Sequence, residues 1–188
     1  ESANHLAEST YGRVVESIGL TDRRRPGSQV DAIVKASPDL IILAGGTENG
    51  ATRSMNRLAE LITMACRVIP TEKMPQVMYA GNTALGQKIK DSLTWYQVTA
   101  HIAPNVRPGI DQEDLGPARE LMAQMVGKIR TRQVQGLSAL ASHAHATPVP
   151  SSHAVGRILR YLSEFHDPNK GVMGVDLGAS WTTIAASV

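Results

Sequence analysis

The feature that most constrains the fold is an unbroken apolar run, Leu40–Ala44, which leads directly into Gly45-Gly46-Thr47. A strand that is covered on both faces of a parallel sheet has this composition, whereas a half-exposed strand alternates apolar and polar residues. A stretch with apolar residues at helical spacing follows over residues 51–67. The region is therefore predicted to form a strand, a glycine-rich turn and a helix.

Two further predicted strands repeat this pattern. Residues 77–80 precede a Gly-Asn turn and a predicted helix at 83–92, and residues 97–102 precede a Pro-Asn turn. Alternation of this kind predicts an α/β fold with an open, mostly parallel sheet and flanking helices. Right-handed crossovers place the turns at the carboxyl edge of the sheet, where α/β proteins bind ligands. The expected cleft residues are Gly45, Gly46, Thr47, Gly81, Asn82 and Asn105.

The flanking sequence is mainly helical in pattern. Helices are predicted over residues 5–19, 28–36 with Ser28 as N-cap, 113–133, part of 133–142, and 153–165, and a β-hairpin over 171–186. The resulting division is a helical N-terminal segment (1–37), an α/β sheet domain (38–110), a helical segment (111–168) and a C-terminal segment (169–188).

Composition excludes several classes of function. A net charge of +2 and 4% aromatic residues argue against a nucleic-acid surface, which needs a basic patch and rings for base stacking. The sequence contains no run of about 18 apolar residues that could span a membrane. The single cysteine, Cys66, excludes an internal disulfide and a cysteine-based zinc site, and its helical position predicts core packing. We expect a cytoplasmic protein.

The chain ends suggest a fragment. The sequence does not begin with Met, and residues 1–7 lack the basic and apolar regions of a signal peptide. Residues 184–188 stop inside a predicted strand, whereas domains generally end at polar boundaries. We therefore expect the chain to be an internal piece of a longer protein.

The strongest chemical motif is Val175–Thr183, in which an Asp ends an apolar strand and a glycine follows in the turn. It resembles the phosphate motif of the actin, hexokinase and Hsp70 ATPase superfamily. Glycine lets backbone N–H groups approach phosphate oxygens, hydroxyl groups add donors, and the carboxylate can hold hydrated Mg²⁺ or orient water. The alternative is an ordinary strand-ending Asp in a tight turn. The predicted catalytic residue is Asp176, and the predicted phosphate-binding residues are Gly178, Ala179, Ser180 and Thr182.

A second candidate is the turn Gly45-Gly46-Thr47. Glycines between a strand and a helix can admit phosphate or carboxylate at the helix N-terminus, so these three residues are also assigned to phosphate binding. The turn matches neither the dinucleotide fingerprint nor the P-loop, and the alternative is a turn that needs positive φ. The histidines His143, His145 and His153 have no acidic or cysteine neighbours in sequence, so no metal site is predicted.

Five segments in order resemble one family. The segments PDLIILAGGTENG, VMYAGN, PNVRP, TPVPSSHAV and DLGASWTT occupy 38–50, 77–82, 104–108, 147–155 and 176–183. They are similar to segments of the glutamate-mutase-associated MutL family, also called GlmL, which is unrelated to the mismatch-repair protein of that name. The resemblance covers residues 38–188, and residues 1–37 match no motif.

The resemblance implies an actin-like (ribonuclease H-like) ATPase fold, with the hairpin at 169–188 beginning the second actin-like half. It implies bound ATP or ADP with Mg²⁺, no covalently bound cofactor, and an accessory or reactivating chaperone role toward an adenosylcobalamin (B12)-dependent mutase. Ala179 replaces a family glycine and Thr183 replaces a family aspartate. The first adds a methyl group beside the phosphate and the second removes an acid, so both argue against hydrolysis.

Three hypotheses therefore stay open. The first is a MutL-type nucleotide-binding accessory protein, and the second is a non-catalytic α/β interaction domain with a degenerate nucleotide site, which Ala179 and Thr183 favour. The third is a small α/β enzyme acting on a phosphorylated or carboxylated metabolite, for which no acid–base pair stands near the turns. The sequence leaves the oligomeric state open.

Overall fold

A computed structural model describes residues 1–10, 12–48, 50, 52–144, 149, 151–167, 170–179 and 182–187. The chain divides into two compact units, residues 1–129 and 130–188, and each is described by itself. The domain boundaries given above stay predictions.

The first unit contains three strands and most of the helices. Its elements in chain order are α1 (Ser2–Ser9), α2 (Pro26–Ala36), β1 (Leu40–Leu43), α3 (Arg53–Cys66), a 3-10 turn (Thr71–Lys73), β2 (Gln76–Tyr79), α4 (Thr83–Trp95), β3 (Ala100–Ile102) and α5 (Gly116–Gln133), whose last residues belong to the second unit.

The three strands form a parallel sheet in the order β1-β2-β3, which confirms the predicted mostly parallel sheet with flanking helices. Leu40 pairs with Gln76 and Val77 with Ala100. The central strand β2 is nearly inaccessible, as the apolar runs predict, because it has a neighbour on each side. In β1 three of four residues are only half-buried, since this strand lies at an edge of the sheet. The expectation of full burial was wrong for β1.

Helices cover both faces of the sheet. On one face Leu43, Val77 and Tyr79 pack against apolar residues of α3 and α4, including Met55, Ile62, Ile89 and Leu93. On the other face Met78 and Ala80 pack against α1 and α5 through Leu6, Ala118, Met122 and Met125. Alternate strand residues point to opposite faces, so β1 and β2 each contribute to both clusters. Cys66 lies in the first cluster, as predicted.

Helix ends differ from the sequence-based predictions in several places. The first helix ends at Ser9 rather than residue 19, because the N–H groups of Thr10 and Gly12 both donate hydrogen bonds to the carbonyl of Ala7. Helix α2 begins at Pro26, not after Ser28, since proline suits the first helical position, where its missing N–H costs nothing. The described residues of 12–19 form no helix.

The second unit contains α6 (Leu137–His143), α7 (Ser151–Phe165), β4 (Val172–Leu177) and β5 (Thr182–Ser187). Strands β4 and β5 pair antiparallel, so the predicted hairpin is confirmed. Helix α7 covers one face of the hairpin, where the Ser163 and Ser187 hydroxyl oxygens lie 2.9 Å apart. The opposite hairpin face exposes four large apolar side chains: Met173, Val175, Leu177 and Ile184. An actin-like half is not confirmed.

Among the described residues, no helix combines the length and apolar character needed to cross a membrane.

Candidate functional site

The turns after the three parallel strands come together at the carboxyl edge of the sheet, as predicted. Glu48, in the turn after β1, is the centre of the contacts. Its carboxylate accepts a hydrogen bond from Asn105 Nδ2 at 2.7 Å and from the backbone N–H of Thr83 at 3.2 Å. Asn105 Nδ2 also lies 3.0 Å from the carbonyl oxygen of Gly46. One carboxylate and one amide therefore connect all three turns.

Gly45 and Gly81 make the closest backbone approach at this edge. A Cβ atom on Gly81 would overlap the carbonyl oxygen of Gly45 and lie 3.1 Å from Tyr79 Oη. The Asn82 N–H donates to the same Gly45 carbonyl at 3.2 Å. Gly45 and Gly46 have φ angles of 144° and 72°, which L side chains rarely adopt. Steric and backbone requirements thus account for all three glycines without a ligand.

Asn82 caps the N-terminus of α4. Its side-chain Oδ1 accepts from the Ala84 N–H at 3.1 Å, and its backbone carbonyl accepts from Tyr79 Oη at 2.8 Å. Asn82 and Tyr79 are both almost fully buried. Burial, with a smaller contribution from Glu48, raises the pKa of Tyr79 to about 12, so this hydroxyl is a neutral donor.

The electrostatics of the edge centre on Glu48. The hydrogen bond from Asn105 is the largest cause that lowers the pKa of this carboxyl group, with a further contribution from Thr83. The ionised carboxylate faces the exposed N–H groups at the start of α4, where the helix dipole favours a negative charge. A phosphate beside this turn would meet that charge. The phosphate-binding role of Gly45, Gly46 and Thr47 stays a prediction.

Sequence reasoning missed Glu48. The sequence analysis considered glycines and hydroxyl groups that could bind a phosphate or carboxylate ligand. In the structure the anion at this turn is the carboxylate of Glu48 itself. Thr47 contributes its backbone carbonyl, which accepts from the Gly50 N–H at 2.8 Å. A carboxylate five residues after the last residue of β1, with asparagines in the turns after the next two strands, was the available signal.

The second group of predicted residues lies in the hairpin of the other unit. Asp176 pairs with Thr183 and Leu177 with Thr182 across the hairpin. Asp176 and Thr182 are exposed, and the described residues offer the Asp176 carboxylate no hydrogen-bond or ion-pair partner. Gly178 and Ala179 follow in the turn and are exposed, whereas Ser180 lies outside the described residues. Within the described part of the hairpin, one exposed carboxylate thus lies beside a turn with accessible backbone.

The predicted residues therefore form two separate sets. Gly45, Gly46, Thr47, Gly81, Asn82 and Asn105 belong to the first unit, and Asp176, Gly178, Ala179 and Thr182 to the second. Over the part of the chain that the structure describes, no three His, Cys, Asp or Glu residues group as metal ligands. His143 Nδ1 lies 2.8 Å from the Ala139 carbonyl oxygen of its own helix, and His145 is outside the described residues.

Comparison with known proteins identifies the family. A family model described as MutL protein matches residues 1–188. The chain belongs to the MutL family. Protein MutL of Clostridium tetanomorphum is 26% identical over 189 residues, an alignment that covers 98% of this chain and 38% of the relative. The chain thus spans well under half of the length of the curated MutL protein that it matches. No solved structure matches the chain.

Proposed function

We propose that this chain is part of a nucleotide-binding accessory protein for a glutamate mutase, and that the nucleotide binds at the Asp176 hairpin. The match of the MutL family model to residues 1–188 carries the proposal. The relative from Clostridium tetanomorphum, aligned over 98% of the chain, supports it. The finer expectation is an actin-like fold whose ATP or ADP drives reactivation of an adenosylcobalamin-dependent mutase.

The hairpin offers groups that fit Mg²⁺ with a nucleotide. Mg²⁺ prefers oxygen donors, keeps several waters and needs one or two carboxylates beside the phosphates. Asp176 supplies one exposed carboxylate. Thr183 pairs with Asp176 and shares its face of the hairpin, whereas Thr182 pairs with Leu177 on the other face. Mg²⁺ would neutralise phosphate charge when bound.

The chain's own residues would then have distinct roles. Asp176 would bind water of the Mg²⁺ shell, and Gly178 would let its backbone N–H approach a phosphate. Phosphate binding by Thr182 stays a prediction, because its side chain lies on the other face of the hairpin from Asp176. Thr183, opposite Asp176, adds no second carboxylate. With one acid at the site, we propose binding with little or no hydrolysis.

A second candidate is a non-catalytic interaction domain. Its support is the carboxyl edge of the sheet, where the Glu48 carboxylate already lies at the α4 N-terminus. The methyl group of Ala179 and the missing acid at Thr183 support it as well.

Calorimetric titration of Mg-ATP and Mg-ADP distinguishes the two. The titration uses the 188-residue chain and a longer protein that contains it, each as wild type, Asp176→Asn and Asp111→Asn. Asp111 is an exposed carboxylate of the first unit and serves as the charge control. We expect Asp176→Asn to weaken binding about tenfold or more, and Asp111→Asn to leave it unchanged.

No binding by either wild-type protein would overturn nucleotide binding and favour the interaction domain. Equal affinity of the wild type and Asp176→Asn for the nucleotide would show that the nucleotide does not bind at the hairpin. Co-purification with an adenosylcobalamin-dependent glutamate mutase tests the partner separately.

A further inference from the structure

The outer edge of strand β3 carries backbone groups that no other strand uses. Val77 donates its N–H to Thr99 at 2.9 Å, and Ala103 donates to Tyr79 at 2.8 Å, so the odd-numbered residues of this stretch face β2. Ala100 and Ile102 therefore direct their N–H and C=O groups away from the sheet. No hydrogen bond within the described part of the chain satisfies these groups.

Two lysines from two helices lie near His101 of β3. Lys90 comes from α4, His101 from β3 itself and Lys128 from α5. Helix α4 packs on one face of β3, where a Cβ on Gly86 would lie 3.2 Å from Ile102 Cγ2. Burial lowers the pKa of His101, and the nearby charges of Lys128 and Lys90 lower it further.

These lysines have no acidic partner in the described residues. None of the ion pairs includes Lys90 or Lys128. The neighbouring Asp91 accepts from Gln87 Nε2 at 2.7 Å instead. The positive charge around the edge is therefore available to a partner.

We propose that the outer edge of β3 binds an extended acidic segment of a partner protein, which adds to the sheet as a further strand. Strand addition gains its affinity from main-chain hydrogen bonds. Ile102 offers such groups at an exposed position, and those of Ala100 point the same way although this residue is only 8% exposed. Lys90 lies on α4, which packs on β3, and together with Lys128 of α5 it favours carboxylate side chains on the added strand. A second copy of this chain is disfavoured, because edge-to-edge pairing would bring like charges together.

A charge-reversal titration tests the recognition. The probe is a fluorescein-labelled seven-residue peptide of alternating Glu and Val, with the corresponding Lys-Val peptide as its control. Binding to the full chain is measured by fluorescence anisotropy at low and high salt. The variants are Lys90→Glu, Lys128→Glu, their combination and Lys88→Glu, an exposed lysine of α4 two positions from Lys90.

We expect the Glu-Val peptide to bind and the Lys-Val peptide not to bind. The combined variant should lose about tenfold or more in affinity, high salt should weaken binding, and Lys88→Glu should have a clearly smaller effect. Absence of binding, or equal affinity for wild type and the combined variant, would overturn the proposal.

Amide hydrogen exchange tests the strand geometry. Without peptide the amides of Ala100 and Ile102 should exchange faster than that of His101, which faces β2; with peptide they should slow by about tenfold or more. Salt-sensitive binding without this protection would mean simple attraction to surface lysines and would overturn strand addition. Protection that rises with protein concentration alone would identify a second copy as the occupant, also against the proposal. Both outcomes are independent of nucleotide binding.

Discussion

Asn105 donates its side-chain amide to the carboxylate of Glu48 over 2.7 Å, although 57 positions separate the two residues. The contact joins the turn after β3 to the turn after β1, and the Thr83 N–H adds the start of α4. Hydrogen bonds to a charged group are stronger than neutral ones, particularly when they are partly shielded from water. This pair therefore connects the turns at the edge of the sheet to one another.

Replacement of Glu48 by Gln should destabilise the first unit. The amide keeps the shape of the side chain but loses the charge that Asn105 and the α4 N-terminus face, so the free energy of unfolding should fall by about 1 kcal/mol. Urea unfolding at neutral pH measures the change. Glu60→Gln, at an exposed position of α3, is the matched control and should change stability by less than about 0.5 kcal/mol.

The stability difference between wild type and Glu48→Gln should depend on pH. Because folding lowers the pKa of Glu48 from 4.5, its contribution is fully present above pH 4.5 and is lost as pH falls through the lower pKa of the folded state. Urea unfolding of both proteins at about pH 7, 5 and 3 should show the gap closing at the lowest pH. A gap of constant size would indicate lost packing instead of lost charge.

Gly81→Ala and Gly127→Ala should have opposite effects. A Cβ at position 81 meets backbone atoms of Gly45, which cannot move aside cheaply, so we expect a loss of about 3 kcal/mol. At position 127, within α5, the new methyl group meets no atom within 4 Å, and alanine favours the helix by up to about 1 kcal/mol. Thermal or urea unfolding compares the two. Equal destabilisation would contradict the close packing of Gly81 on Gly45.

The Cys66 thiol should react slowly in the folded protein. Its side chain is 3% exposed, and burial raises its pKa to about 11 from 9.0. The thiolate is the reacting species, so the shift alone predicts about a hundredfold slower alkylation than in the unfolded chain. Iodoacetamide labelling at about pH 8, with and without urea, followed by mass spectrometry, checks this. Rapid native labelling would show that the core around Cys66 opens readily.

The parallel sheet could be predicted because its signal is local. Each strand is a short segment rich in apolar residues and followed by turn residues, and the β4–β5 hairpin is equally compact in sequence. The early end of α1 could not be predicted, because apolar residues continue at helical spacing beyond it. The helix ends there because the N–H groups of Thr10 and Gly12 both donate to the carbonyl of Ala7. Periodicity describes which face a helix would bury but does not fix where its hydrogen bonds stop.

For the predicted cleft, the sequence indicates where the turns lie but not the contacts that the residues make there. Residues at the turns were expected to meet, and they do, because strand order and crossovers fix the edge of the sheet. The role of Glu48 depends on partners 35 and 57 positions away, which no local motif encodes. Phosphate binding by the turn residues and by the Asp176 hairpin stays a prediction.

The strand order has a consequence for how the molecule is made. Since β1, β2 and β3 lie side by side in the order of synthesis, each new strand finds its neighbour already translated. These three strands can then pair one after another during translation, and none of them needs a later, distant part of the chain to find its neighbour in this order. The central strand would be exposed on one side only until β3 emerges.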